Sequence, residues 1–163
     1  MQTTNSSSTF SLAQLRAWRP TWNLENLLAI LIIALAVLVG AVAHLFNCEH
    51  DGKALTLGNG RQVPMKCFWT AMAEIGVAGS LLVLGGLQLR SRHRETNQAL
   101  GIMGGVLGAV VILIPTLLIG VCAHPEASCH LVMRPAMIFL GILVMGASAT
   151  QGLLAWRVAE RPA

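Results

Sequence analysis

Charge is the scarcest property of this sequence. Asp, Glu, Lys and Arg make up 11% of the 163 residues, against 55% apolar residues and a mean hydropathy of +0.66. A water-soluble core of this size requires neither so much apolar content nor so little charge, so a helical membrane protein is the expected class. The chain also lacks any nucleotide-binding motif and any complete catalytic constellation, which leaves no enzyme class to assign. Its net charge of +4 comes from basic residues scattered at the ends of apolar runs. Without a clustered basic face they do not form a phosphate-binding surface, and nucleic acid is set aside as a partner. No Cys-x-x-Cys pair is present either, the spacing that tunes thiolate acidity in disulfide-exchange catalysts.

What the chain has is length in apolar runs. Four stand out, at 24–46, 68–89, 99–121 and 131–156, each near the ~20 residues that cross ~30 Å of hydrocarbon. They predict one all-α integral membrane domain over 24–156, a four-transmembrane-helix bundle embedded in the lipid bilayer, with tails at 1–23 and 157–163. Four spans put both tails on one side. Arg16, Arg19, Arg90, Arg92, Arg94, Arg157 and Arg161 fall on that side, and Lys53, Arg61, Lys66 and Arg134 on the other. The excess predicts cytoplasmic termini in an inner (plasma) membrane. Trp22 and Trp156 at one set of ends, and Phe46, Phe68 and Trp69 at the other, agree with two interfacial belts. Ala41-Val42-Ala43 looks like a signal-peptidase site, but the apolar core before it is too long for a signal peptide, so the first span is expected to stay.

The connections carry local signals. In the first tail, Leu12, Leu15 and Trp18 with Arg16 and Arg19 suit a short interfacial helix that Pro20 ends. Residues 55–63 alternate around Asn59-Gly60, a pair able to adopt positive φ, and predict a small β-hairpin in the first external loop. Gly101, Gly104, Gly105 and Gly108 in the third run form overlapping small-xxx-small pairs that admit a close neighbour, with Gly76, Ser80 and Gly85-Gly86 of the second run as the expected receiver. Pro115, near the middle of the third run, frees a carbonyl and is expected to kink it.

Chemistry concentrates at the external ends. Met65-Lys66-Cys67-Phe68-Trp69-Thr70-Ala71-Met72-Ala73-Glu74 leads from a polar loop into the second run, and helical spacing puts Cys67, Thr70 and Glu74 on one face, Glu74 roughly 10 Å below Cys67. All four cysteines and four of the five histidines lie at that side. Oxidation is the plainest reading: two disulfides, most simply Cys48 with Cys67 and Cys122 with Cys129, among three possible connectivities. A second reading is a copper, zinc or haem site, drawing on His44, Cys48, His50, Met65, Cys67, Cys122, His124, Cys129, His130 and Met133. A third is thiol or quinone oxidoreduction, since four spans with two cysteines in each external loop resemble the layout of quinone-linked disulfide-bond oxidases. Intramembrane ionisable groups usually pair or line a pathway, so an ion pair between Glu74 and Arg134 is expected to tie the second span to the fourth. Met133 and Met137, in register with Cys129, read as packing.

The patterns Met65-Lys66-Cys67-x-x-Thr70-x-x-x-Glu74 and Cys129-x3-Met133-Arg134-Pro135 resemble those of a family of small four-span prokaryotic membrane proteins known as a domain of unknown function. The resemblance covers about 24–156. It implies an accessory role beside an ABC-transporter permease of the macrolide-exporter or lipoprotein-release type, and therefore a partner protein in the membrane rather than a known reaction. No cofactor is assigned.

Overall fold

The structure, a computed structural model, describes residues 24–46, 55–91, 93–121 and 127–159. Four long helices dominate it: α1 (Leu24–Leu45), α2 (Lys66–Arg90), α3 (Arg94–Leu113) and α4 (Arg134–Ala159). All four are long and apolar enough to cross a membrane. In hydrocarbon no water satisfies a peptide group, so each apolar run closes its own hydrogen bonds as a helix. The chain is a multi-pass membrane protein.

Two of the helices are interrupted. α3 widens into π-helix over Ile114–Leu118, with Pro115 at its start, and α4 is preceded by a π-helical turn over Cys129–Met133. Proline has no N–H, so the helix cannot continue its i→i−4 ladder through it. The chain widens at that point, near the end of the span and away from its middle, where the expected kink would lie. Beyond the wide turn, the N–H groups of Ile119 and Gly120 both donate to the Ile114 carbonyl, at 3.0 and 3.1 Å, and Gly120 takes φ +79° to end the element.

Between α1 and α2 only a short pairing is described. β1 (Leu55–Thr56) runs antiparallel to β2 (Gln62–Val63), with Leu55 opposite Val63 and Thr56 opposite Gln62. Gly60 turns at φ +79°, and the Asn59 side chain accepts the Arg61 N–H at 3.2 Å. Two residues per strand make a loop ornament and no sheet.

The helices pack antiparallel, α1 against α2 and α4, and α3 against α4 and α2. One core cluster runs along the axis, built from Leu35 and Val39 of α1, Leu81 of α2, Val111 of α3 and Met133, Met137 and Val144 towards α4. Large apolar side chains such as Val83, Ile102, Leu117 and Phe139 point outward, where lipid is their solvent.

Glycine decides which helices come closest. A Cβ at Gly101 would stand 3.0 Å from Gly152 Cα, Gly152 N and the Ser148 carbonyl; at Gly104 it would collide with Ser148 Oγ; at Gly108 it would meet Met145 at 2.8 Å. The glycine face of α3 is therefore seated on α4, where α2 was the expected receiver. On α2, Gly85 alone faces inward, against Ile33 and Ala29 of α1. Gly76, Gly79 and Gly86 have nothing within 4 Å of a Cβ, and these three and Ser80 are exposed.

Candidate functional site

At the bundle end that carries Cys67 and Cys129, the helical face expected from spacing is present. Cys67, Thr70 and Glu74 are each 0% exposed, because i, i+3 and i+7 share one azimuth on α2 and that azimuth faces the core. Cys129, Met133 and Met137 are likewise fully buried, at i, i+4 and i+8. Cys67, Cys129, Met133 and Met137 belong to one cluster, with Met65 packed against it. Two expected sources of soft donors thus converge on the same core, and Met133 and Met137 serve there as packing.

The Thr70 hydroxyl fastens α2 to the loop after α3. It donates to the Gly120 carbonyl at 2.7 Å, and its own-helix contact to the Lys66 carbonyl is longer, at 3.3 Å. Gly120 is the residue whose positive φ ends the π-helical segment, so the proline-induced widening is what delivers that carbonyl to Thr70.

Glu74 lies one turn deeper. Among the described residues neither of its carboxyl oxygens has a hydrogen-bond partner. The expected ion pair with Arg134 is not made: Arg134 is exposed at the start of α4. Ordinary helical spacing gives the reason: Met133 and Met137, at i+4 and i+8 from the buried Cys129, hold the inward azimuth, and Arg134, about 100° further round than Met133, takes the outward one, where a long cationic side chain reaches the interface.

Six of the ten candidate metal ligands are described: His44, Met65, Cys67, Cys129, His130 and Met133. His44 is exposed, and His130 is half-buried with Nδ1 unpartnered. Among the described residues no group of three His, Cys, Asp or Glu side chains converges on a metal position. Cys48, His50, Cys122 and His124 lie outside the described residues, and with them both expected disulfides.

Sequence reasoning passed over a second polar layer, at the opposite end. Gln88 of α2, Asn97 of α3 and Ser148 and Gln151 of α4 are buried, each with at least one side-chain polar atom unpartnered. The available signal was Gln88 on the Glu74 face, fourteen residues on, and a Ser-x2-Gln pair inside an apolar run. Beside this layer a mostly apolar cleft of about 410 Å³ opens between α3 and α4, lined by Gln98, Gly105, Ser148, Leu153 and Trp156 among others.

The family model described as a domain of unknown function, DUF4418, matches residues 23–154. The chain belongs to that family. No curated protein and no solved structure matches it.

Proposed function

We propose that this member of a family without an assigned activity is a non-enzymatic partner protein of the inner (plasma) membrane, which binds another integral membrane protein through the open face of α2. The observation that carries the reading is the stripe of Gly76, Gly79, Ser80 and Gly86. These residues are exposed, and open space lies over each glycine's Cβ position. Small residues let helix backbones approach closely in lipid, where no hydrophobic force draws helices together and packing and hydrogen bonds do so. The bundle's internal contacts use other glycines, Gly85, Gly101, Gly104 and Gly108. The α2 stripe is therefore surplus to holding this chain together. The Ser80 hydroxyl already donates to the Gly76 carbonyl at 3.1 Å, so the stripe brings no unsatisfied polar group into lipid.

The partner belonging to this reading is the permease of an ABC-type exporter, as the family resemblance implies. The orientation belonging to it has both termini in the cytoplasm, by the excess of arginine at that side. The cysteine end then faces an oxidising compartment, where the Cys48–Cys67 and Cys122–Cys129 disulfides are part of the proposal.

Co-purification in mild detergent from the native membrane tests it, with Gly79→Leu as the control. Space over Gly79 means that the leucine fits the isolated bundle, so its melting is expected to stay unchanged while a co-purifying permease is lost. Isolation of wild-type chain alone, or equal recovery of the permease with Gly79→Leu, would refute the reading.

A further inference from the structure

We propose that Glu74 anchors a binding site for a dehydrated monovalent alkali cation, completed by the Thr70 hydroxyl and the main chain of the π-helical end of α3. An ionised carboxyl withdrawn from water costs several kcal/mol unless something positive or hydrogen-donating meets it. Glu74 is fully buried, and among the described residues no hydrogen bond reaches its carboxyl oxygens. Among the described residues the cationic side chains at this end do not serve: Arg61, Lys66, Arg134 and His44 are exposed and His130 is half-buried, and none bonds a Glu74 oxygen.

Thr70 sits four residues before Glu74 on the same face, and helical side chains lean toward the N-terminus, so the Glu74 carboxyl is carried toward the Thr70 level. The hydroxyl proton of Thr70 is committed to the Gly120 carbonyl at 2.7 Å. What Thr70 has left for Glu74 is lone pairs. Two oxygen groups that can only accept are reconciled by a cation between them.

The neighbouring backbone offers a further oxygen. The π-helical segment Ile114–Leu118 lies against α2, and Pro115 supplies no N–H, so the Val111 carbonyl loses its α-helical donor. Val111 and Pro115 are both buried. Interrupted helices in membrane proteins present freed carbonyls to ions in this way.

The donors select the class of cation. They are hard oxygens with one negative charge, which a monovalent ion neutralises. A divalent ion would leave a net buried charge and calls for more oxygen ligands. A transition metal would need converging His, Cys or carboxylate ligands, and no such group forms among the described residues. The site is independent of the α2 docking face, so either proposal can fail while the other stands.

The test is thermal melting of the full-length chain in mild detergent at fixed pH, in sodium chloride or potassium chloride titrated against choline chloride at constant ionic strength. One of the two alkali salts is expected to raise the melting temperature saturably, by about 3 °C or more at tenfold over its apparent Kd. Glu74→Gln should abolish the rise, Thr70→Val should weaken it and Thr70→Ser should keep it. Saturable uptake of radioactive sodium or rubidium by the wild-type chain gives a readout that needs no variant to fold. Identical melting in all three salts together with no saturable uptake overturns the proposal. So does melting that follows pH and ignores the cation, which assigns Glu74 a proton in place of a metal ion.

Discussion

Replacing one glycine of α3 with alanine measures how much the α3–α4 contact contributes, provided a matched glycine on the same helix serves as reference. At Gly101 the added methyl stands 3.0 Å from Gly152 Cα, Gly152 N and the Ser148 carbonyl, all backbone atoms that no rotamer change moves. At Gly105, one turn further on, nothing lies within 4 Å. Both substitutions gain the same helix propensity, ~1 kcal/mol, and that term cancels in their difference. What remains is overpacking, about 1–3 kcal/mol. It is relieved only if α3 and α4 part, which loosens the contacts at Gly104, Gly108 and Gly141 as well. For a chain of this size each kcal/mol moves the melting temperature by about 2–4 °C, so Gly101→Ala should melt roughly 2–12 °C below Gly105→Ala in the same detergent. Equal melting temperatures would refute the close α3–α4 contact and return the glycine face to α2.

Thr70→Val should destabilise the bundle by about 1 kcal/mol, because it strands the Gly120 carbonyl; thermal melting in choline chloride reads this without the cation, and Thr70→Ser should recover most of it. Arg134→Gln should change stability by no more than about 0.5 kcal/mol, since the exposed guanidinium ties nothing to Glu74; a loss of about 3 kcal/mol would instead reveal the buried pair. Cys67 and Cys129 are fully buried, so after reduction a membrane-impermeant maleimide should modify neither in the folded protein from either side of the membrane, and both on unfolding. Rapid modification of either in the native bundle would contradict the packing of the cysteine end.

The four spans were legible in the sequence because a helix in lipid satisfies its own backbone, so hydropathy and length alone settle where it runs. The Cys67–Thr70–Glu74 face was legible for a similar reason: a 3.6-residue repeat assigns residues to a common azimuth whatever lies opposite. Periodicity says which residues share a face and nothing about which neighbour receives it. The glycines of α3 could serve α2 or α4 equally well by spacing, and only the packed bundle seats Gly101 on Gly152 and leaves Gly76 and Gly79 open. Arg134 shows the same limit at a single residue. Its position in an apolar run suggested a partner for Glu74, but the inward azimuth at that level belongs to Met133, and Arg134 is exposed. Residue order thus establishes which segments are helices and which residues share a side of each. Their partners are set in the packed bundle, because closeness between helices depends on how two surfaces fit, and among the described residues Glu74 is buried with none.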